Sequence, residues 1–343
     1  MKSLKEDYLN DFCSHIYVET AILHHPRTQK ILSKFPDATV VMIDHYKDVF
    51  CRSRQNCALQ HGAQNLILAQ KKGTLLYDGA PVCQSFGNQY FYYTSCMMNC
   101  IYDCEYCYLK GMYPSSNLVI FVNLEDYFSE VAQLLKQHPL YLCISYDSDL
   151  LALEGVTGYI GEWCDFAETQ ENLKLEIRTK CAGDQLVGQL SCTPGIIYAL
   201  TLSPQIVIDR FEHHTPALHR RLSFAKKLLE GGAAVRLCFD PMICMPKWEI
   251  YYEQMLGQVF ETIDPKKILD VSVGTFRISQ DYLKKMRRQQ PNSAVVWFPF
   301  QNENGYYHYP DTLMEQMESF LTERLEQKFP KEKIFRWTES QNN

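Results

Sequence analysis

From about residue 90 onward, the hydrophobic and polar positions of the chain form strand-like and helix-like blocks in alternation. Short apolar runs typical of buried strands cover residues 90–95, 140–145, 174–178, 197–202, 234–239 and 269–273. Amphipathic patterns predict helices between most of these runs, at residues 125–137, 217–229 and 250–263. This alternation predicts an α/β fold with a parallel sheet, whose ligands lie at the carboxyl ends of the strands.

The two ends of the chain have patterns of their own. Near the N-terminus the pattern predicts a strand, a helix and a strand at residues 17–23, 28–34 and 39–43. A further short strand is predicted at 118–122. Near the C-terminus, the aromatic segment 297–309 contains the turn sequence Asn302-Glu-Asn-Gly305, and a last helix is predicted at 312–327.

These patterns predict three parts in the chain. They are a small N-terminal α/β module at 1–86, a barrel-type unit at 87–295 that includes a cysteine-containing loop at 96–109, and a C-terminal aromatic hairpin plus helix at 296–343.

Composition excludes several classes of protein. Of the 343 residues, 46% are hydrophobic and 22% are charged, which is typical of a globular chain. No apolar run of about 18 residues predicts a membrane span, and the N-terminus lacks the apolar core of a signal peptide, so we expect a cytoplasmic protein without a membrane partner. The net charge of −6 argues against a globally basic chain that grips nucleic acid by charge alone, but leaves room for a local basic patch.

Cysteines indicate the chemistry. The chain has fourteen cysteines, and clustered cysteines in a reducing compartment more often bind metal than form disulfides. Cys100, Cys104 and Cys107 have the spacing C-x3-C-x2-C directly after the first predicted barrel strand. Such a loop can direct three thiolates at one iron–sulfur cluster and leave one iron open. A structural zinc ion normally has four protein ligands, so zinc fits less well, although Cys96 is a possible fourth ligand.

In its spacing and strand context the motif resembles that of the radical S-adenosylmethionine superfamily. This resemblance implies a partial (β/α)6 barrel, a [4Fe–4S] cluster and S-adenosylmethionine as cofactor. In that superfamily the open iron binds the amino and carboxylate groups of S-adenosylmethionine, and the reduced cluster cleaves it to methionine and a 5′-deoxyadenosyl radical.

Further segments, in the same order along nearly the whole chain, resemble the spore photoproduct lyase family. They are Ile16-Tyr-Val-Glu19, Cys104-Glu-Tyr-Cys-Tyr-Leu109, Phe121-Val-Asn-Leu124, Leu175-Glu-Ile-Arg-Thr-Lys180, Val207-Ile-Asp-Arg-Phe-Glu212 and Gln327-Lys-Phe-Pro330. The resemblance implies a DNA repair lyase that converts the ultraviolet lesion 5-thyminyl-5,6-dihydrothymine to two thymines. The radical takes a hydrogen atom from C6 of the lesion, the methylene bridge breaks, and a hydrogen donor quenches the remaining thymine radical.

Family roles transfer to positions that match the family motifs. The three motif cysteines, Cys100, Cys104 and Cys107, match the cluster ligands. Positions that match contacts to S-adenosylmethionine are Ser148, Asp149, Lys180 and Thr201. The ammonium of Lys180 can pair with the carboxylate of the cofactor, and the alternative for this lysine is a solvated strand end.

The resemblance also implies a path for returning the hydrogen atom. Tyr106 matches a tyrosine near the adenosine and Tyr108 matches one in the hydrogen-transfer chain; the alternative for both is core packing. The usual donor cysteine falls on Tyr146 in this chain. Cys83 occupies the upstream place used by clostridial-type members, so we expect Cys83 to be the donor. Cys143 and Tyr146 are the alternatives: strand alternation would point Cys143 away from Tyr146, and a phenol such as Tyr146 would donate its hydrogen more slowly than a thiol.

Contacts with damaged DNA are less well defined. The family hairpin carries an Arg-Tyr pair at the lesion, but the aligned stretch 297–300 reads Trp-Phe-Pro-Phe and has no arginine. An aromatic side chain can still wedge a duplex or stack on a base. Basic runs at 219–221 and 284–288 are typical of solvated helix faces, and at least one is a candidate phosphate contact.

Three functions therefore stay open. The first is a lyase that repairs ultraviolet-damaged DNA, receives electrons from a flavodoxin or ferredoxin and acts as a monomer. The second is a related radical enzyme with a different substrate, which the missing arginine favours. The third is a non-enzymatic iron–sulfur redox sensor, which would need no cofactor pocket beside the cysteines.

Overall fold

The computed structural model describes residues 13–80 and 83–336. Its strands are β1 His15–Glu19, β2 Thr39–Ile43, β3 Leu66–Ala69, β4 Leu76–Asp78, β5 Phe91–Thr94, β6 Met97–Met98, β7 Asp103–Cys104, β8 Leu118–Phe121, β9 Leu140–Cys143, β10 Leu173–Thr179, β11 Ile196–Thr201, β12 Glu212–His213, β13 Ala234–Met242, β14 Asp270–Thr275, β15 Arg277–Ser279, β16 Gln301–Glu303, β17 Tyr306–His308 and β18 Ile334–Arg336.

Helices lie between many of these strands. They are α1 Pro26–Leu32, α2 Lys47–Phe50, α3 Cys57–His61, α4 Leu109–Met112, α5 Leu124–Leu135, α6 Glu154–Thr157, α7 Tyr159–Glu168, α8 Gln205–Phe211, α9 Leu218–Glu230, α10 Trp248–Thr262, α11 Gln280–Gln289 and α12 Asp311–Leu325. In the described parts of the chain, no helix combines the length and the apolar character that crossing a membrane requires.

The main sheet contains six parallel strands side by side in chain order. They are β5, β9, β10, β11, β13 and β14. Antiparallel β4 extends one edge of this sheet, and parallel β18 extends the other. All six residues of β11 are buried, as expected for a strand covered on both faces. This architecture confirms the predicted α/β fold of the partial (β/α)6 type.

A buried charge cluster lies inside the barrel, towards the amino-terminal ends of its strands. Arg236 on β13 donates 2.7 Å to Glu176 on β10 and 2.8 Å to Asp270 on β14. Tyr141 also donates to Glu176. Although burial alone raises the pKa of Glu176, Arg178 and Arg236 lower it to about 2. These buried charges are therefore paired with one another. The carboxyl ends of the strands, on the opposite side of the barrel, are where a ligand site is expected.

A second sheet is built mostly by the N-terminal part of the chain. Its strand order is β2, β1, β3, β8 and β6. The strand predicted at 118–122 is β8, which pairs with β3 and not with the barrel strands. The chain thus returns to the N-terminal sheet directly after the cysteine loop. The division at residues 86 and 295 stays a prediction.

The C-terminal aromatic segment forms the expected hairpin. Strands β16 and β17 pair antiparallel, and β15 adds a third strand. Asn304 and Gly305 at the tip have φ values of 49° and 85°. These positive values are those of the hairpin turns in which Asn-Gly is favoured, because glycine has no Cβ to clash.

The observed ends of the elements differ from the predicted ones by a few residues. The strand predicted at 17–23 ends at Glu19, and the apolar residues after it form a short 3-10 turn at Thr20–Ile22. The strand predicted at 140–145 ends at Cys143, while the one predicted at 234–239 continues to Met242. Apolar runs do not distinguish a strand end from a buried turn, which explains these differences.

Candidate active site

The cysteine loop leaves the carboxyl end of β5 and is fastened in its middle. Strand β7, which includes Cys104, pairs with β12, so that Cys104 faces Glu212 across the two strands. The amide of Glu105 donates 2.8 Å to the carbonyl of Phe211. The segment that follows β11 therefore fixes the central cysteine of the motif at the carboxyl edge of the barrel.

The three motif cysteines are free thiols in a largely buried loop. Cys104 is buried, and Cys100 and Cys107 are half-buried. Burial raises the pKa of all three, that of Cys104 to about 12. Cys100 and Cys107 line a small pocket with the polar residues His61, Gln64 and Lys110. The loop is thus shielded on the barrel side and approachable from this outer pocket.

The spacing of the three sulfurs is wider than one metal ion requires. Among the described residues, the only group that brings three His, Cys, Asp or Glu ligand atoms within 4.8 Å of one another is the exposed set Glu303, His308 and Asp311. Thiolates on one zinc ion, each about 2.3 Å from the metal, would be about 3.8 Å apart. The loop therefore does not have the geometry of a closed zinc site.

Cys96 lies apart from the motif. It is fully buried before β6, and its Sγ is 3.9 Å from the carbonyl oxygen of Ile144. Burial raises the pKa of this thiol to about 12. Cys96 thus packs between the two sheets as a small buried residue.

Lys180 reaches the cysteine loop from the end of β10. Its Nζ lies 3.8 Å from Sγ of Cys104 and 4.9 Å from the centre of the Tyr106 ring. Burial alone lowers the pKa of Lys180, but attraction to Cys104, Tyr106 and Glu212 raises it well above its ordinary value. Lys180 is half-buried, and its ammonium faces the loop and does not extend freely into solvent.

The two residues of the Ser-Asp pair, Ser148 and Asp149, have different surroundings. Asp149 accepts hydrogen bonds of 2.7 Å from both the hydroxyl of Thr179 and the amide of Lys180. Oγ of Ser148 is buried and has no hydrogen-bond partner among the described residues. Buried hydroxyls normally find partners, so this one is suited to a ligand. Asp149 instead holds Lys180 in position.

Tyr106 is supported by the buried ion pair of Glu212 with Arg221, which the sequence pattern does not predict. Tyr106 donates to Glu212, which also accepts 2.7 Å from Ser203 and 2.5 Å from Arg221. Arg221 donates 3.0 Å to the carbonyl of Thr201 as well. Arg221 is fully buried, so the expectation of a solvated basic face at 219–221 is wrong for this residue. The only signal was Glu212 at the end of a family segment.

The predicted hydrogen donor lies beside an unexpected neighbour. Sγ of Cys83 is 3.4 Å from the hydroxyl oxygen of Tyr146. The hydroxyl of Tyr108 donates 2.6 Å to the backbone carbonyl of Tyr146 and 3.3 Å to Asp147. Strand β9 ends at the buried Cys143, so the expected alternation between Cys143 and Tyr146 does not apply. Cys83, Tyr146 and Tyr108 thus form one group.

The aromatic segment separates into buried and exposed rings. Phe298 and Phe300 pack on Tyr309, with ring centres 4.7 Å and 5.3 Å away. Trp297 is 53% exposed. Arg287 from α11 donates 2.7 Å to the carbonyl of Val296, and its guanidinium lies 5.1 Å from the Trp297 ring. An arginine of helix α11 therefore lies beside the aligned stretch 297–300, which has none of its own.

The site brings most of the predicted residues together at one edge of the barrel. Three cysteines, the ammonium of the half-buried Lys180 and a buried hydroxyl without a partner follow successive parallel strands. The fold is of the radical S-adenosylmethionine type.

Comparison with known proteins gives the family. The model of the spore photoproduct lyase family matches residues 12–338. The chain therefore belongs to the spore photoproduct lyase family, as the sequence predicts. It is 20% identical to the spore photoproduct lyase of Bacillus subtilis (strain 168) over 263 residues, which are 75% of this chain and 74% of that protein.

Solved structures of spore photoproduct lyase have the same fold. One is a double mutant with bound AdoMet and dinucleoside spore photoproduct, at TM-score 0.79 and 18% identity, covering 95% of this chain and 98% of that chain. Another, complexed with dinucleoside spore photoproduct, has TM-score 0.78 and 16% identity over the same shares of the two chains. The similarity extends over nearly the whole of both chains.

Proposed function

We propose that this protein is a radical S-adenosylmethionine lyase that converts 5-thyminyl-5,6-dihydrothymine in DNA to two thymines. The observation that carries the proposal is the contact of Lys180 with the cysteine loop, with the unpartnered hydroxyl of Ser148 at the end of the neighbouring strand. A structural or redox-sensing cluster would need no such cation and no unpartnered hydroxyl at this edge of the barrel. Membership of the family supports the lesion as substrate.

Cys100, Cys104 and Cys107 would hold a [4Fe–4S] cluster. Three free thiols on one loop, spaced too widely for a single ion, fit a cluster that places each thiolate on its own iron. When bound, the reduced cluster supplies the electron for reductive cleavage of S-adenosylmethionine. The pairing of β7 with β12 keeps Cys104 in place on the barrel side.

Lys180 and Ser148 would bind S-adenosylmethionine. The ammonium of Lys180 is charged and near the loop, so it can pair with the carboxylate of the cofactor. Ser148 can donate one hydrogen bond or accept one, and Asp149 holds the lysine backbone. Thr201, buried at the end of β11, and Tyr106, braced by Glu212, would contact the same cofactor.

Cys83 would give the final hydrogen atom to the thymine radical, with Tyr108 in the path that returns the radical. Burial raises the pKa of Cys83, so the thiol keeps its hydrogen at neutral pH. A thiol hydrogen is held weakly compared with a carbon-bound one, so donation to a carbon radical is downhill. The buried Cys143 is the alternative donor, but no side-chain hydrogen bond links it to Tyr146 or Tyr108 in the described residues.

DNA would approach over the C-terminal hairpin and α11. Trp297 and Tyr306 are exposed, and Lys284, Lys285 and Arg288 lie exposed on the same helix that supplies Arg287. Exposed aromatic rings stack on bases and lysines contact phosphates, which together suit an overall acidic chain that must approach DNA. We propose that Arg287 with Trp297 replaces the family Arg-Tyr pair.

The remaining assignments follow from the same chemistry. We propose a cytoplasmic monomer that receives electrons from a flavodoxin or ferredoxin. The small pocket lined by Cys100 and Cys107 would be the side from which such a donor approaches.

Chromatography of reaction products tests the function. The anaerobic protein, reconstituted with iron and sulfide, is incubated with dithionite, S-adenosylmethionine and DNA that was irradiated in the dry state. We expect loss of the spore photoproduct, matching recovery of thymine and formation of 5′-deoxyadenosine. DNA irradiated in solution, which contains mainly other thymine dimers, is the substrate control.

Other results would assign other functions. Formation of 5′-deoxyadenosine with the lesion untouched would indicate a related enzyme with a different substrate, the case favoured by the absence of arginine at 297–300. A full cluster that never cleaves S-adenosylmethionine would indicate a redox sensor.

A further inference from the structure

Tyr146 touches both residues that the proposed hydrogen return requires. Its hydroxyl oxygen lies 3.4 Å from Sγ of Cys83, and its backbone carbonyl accepts 2.6 Å from the hydroxyl of Tyr108. Its ring is 5.8 Å from that of Tyr108, centre to centre. The thiol of Cys83 has no other side-chain hydrogen bond among the described residues. The hydrogen-bonded side-chain path from Tyr108 to Cys83 in the described residues therefore passes through Tyr146.

The surroundings hold the Tyr146 ring in this position. It stacks on Tyr93 of β5, with ring centres 4.0 Å apart and planes 26° from parallel. Stacking of the two rings favours one orientation of the Tyr146 ring. Asp147, next in the chain, accepts 2.9 Å from Tyr113 and fixes the backbone that follows. The contact with Cys83 thus comes from a rigid part of the barrel mouth.

We propose that Tyr146 is a catalytic residue that carries the hydrogen atom from Tyr108 to Cys83 after each repair. This inference rests on the proposed function. When the thiol of Cys83 has quenched the thymine radical, its sulfur radical takes the hydrogen atom of the Tyr146 hydroxyl, which re-forms the S–H bond and leaves a phenoxyl radical on Tyr146. That radical takes one electron and one proton from Tyr108. The Tyr108 radical then takes a hydrogen atom from the methyl group of 5′-deoxyadenosine, and the resulting 5′-deoxyadenosyl radical would rejoin methionine as S-adenosylmethionine and return its electron to the cluster.

The energetics suit a reversible relay. A thiol and a phenol hold their hydrogen atoms about equally firmly, so exchange between Cys83 and Tyr146 is close to thermoneutral, and exchange between two phenols is thermoneutral. Both groups must be neutral to exchange whole hydrogen atoms. Burial raises the pKa of Cys83 and that of Tyr146, so both keep their protons at neutral pH.

Comparing the rate of the first turnover with the rate of later turnovers tests the relay. Tyr146→Phe keeps the ring and its stacking but removes the transferable hydrogen. Cys83 enters the first cycle with its own hydrogen, so we expect a normal burst of one repaired lesion per active site. Later turnovers should be at least tenfold slower than in the wild type. Rapid quench with chromatography of thymine measures both phases.

Tyr198→Phe is the matched control, because Tyr198 is a tyrosine of barrel strand β11, fully buried where Tyr146 is half-buried, and its hydroxyl donates to Ser191, away from the site. This variant should keep both phases. A Tyr146→Phe protein with wild-type burst and wild-type later rate would overturn the relay, and so would loss of burst and later rate together, which would indicate a structural contact. A wild-type protein that never repairs the lesion would instead refute the proposed function.

Discussion

The amide of Lys180 donates a 2.7 Å hydrogen bond to Oδ2 of Asp149, across 31 positions of sequence. Thr179 donates to the other oxygen of the same carboxylate. The carboxylate that follows β9 therefore fixes the end of β10, and the lysine side chain extends from there to Cys104. Two neighbouring strand ends are joined into one rigid support for a buried cation.

Removal of that cation should weaken the binding of S-adenosylmethionine. Lys180→Ala should cost about 1.5–3 kcal/mol, the range for hydrogen bonds to charged groups, or about 10- to 150-fold in Kd. Iron and sulfide content should not change, because Lys180 is not a ligand. Anaerobic equilibrium dialysis measures the affinity. Lys226→Ala, on an exposed face of α9, should bind normally, and an unchanged Kd for Lys180→Ala would remove this residue from the site.

The cluster assignment predicts different outcomes for two buried cysteines. Cys104→Ala should lose the [4Fe–4S] absorbance and all cleavage of S-adenosylmethionine, since two thiolates cannot replace three. Cys96→Ala should keep both, because its Sγ faces the carbonyl of Ile144. Iron analysis with assay of 5′-deoxyadenosine distinguishes the variants. Normal cluster content in Cys104→Ala would refute the ligand set.

The choice of hydrogen donor predicts a change of product. Cys83→Ala should still cleave S-adenosylmethionine and open the lesion, but the unquenched thymine radical should be diverted to adducts. Mass spectrometry of the dinucleotide products measures the ratio of adduct to thymine. Cys143→Ala is the comparison and should give clean repair. If Cys143→Ala alone forms adducts, Cys143 is the donor.

The charge cluster inside the barrel predicts a pH dependence of stability. The pKa of Glu176 is lowered to about 2 in the folded protein, below its ordinary value of about 4.5. Its stabilisation is therefore present above pH about 4.5 and lost as the pH falls towards 2. Glu176→Gln should lower the unfolding free energy at pH 7 by about 3 kcal/mol, the scale for breaking a buried pair. The unfolding free energy of this variant should also fall less steeply than that of the wild type as the pH is lowered.

Urea unfolding followed by circular dichroism between pH 7 and pH 3 measures this effect. Glu171→Gln, at an exposed position near the same strand, is the control and should follow the wild-type curve. Parallel curves for Glu176→Gln and the wild type would show that the pair does not carry the acid dependence.

Local patterns predicted the strands and the cysteine loop because both depend on neighbouring residues. Buried parallel strands are continuous apolar runs, and the carboxyl edge of the barrel follows from strand order. The pair of Glu212 with Arg221 could not be predicted, because a basic run near a helix start does not reveal which side chain turns inward. The contact of Cys83 with Tyr146 spans 63 positions and depends on how β9 ends.

The transfer of strand β8 to the N-terminal sheet has a similar explanation. Its four residues are all buried, so the pattern correctly predicts a strand. A short apolar run does not specify its partner, however, and pairing with β3 is decided by packing across the whole molecule.

Isotope transfer from the lesion tests the central claim most directly. A dinucleotide spore photoproduct carrying deuterium at C6 is incubated with reduced protein and S-adenosylmethionine, and both 5′-deoxyadenosine and S-adenosylmethionine are analysed by mass spectrometry. We predict that deuterium appears in 5′-deoxyadenosine or in the S-adenosylmethionine re-formed from it as two thymines are released, and that Cys104→Ala gives neither the label transfer nor thymine. Unlabelled 5′-deoxyadenosine with intact lesion would contradict the account.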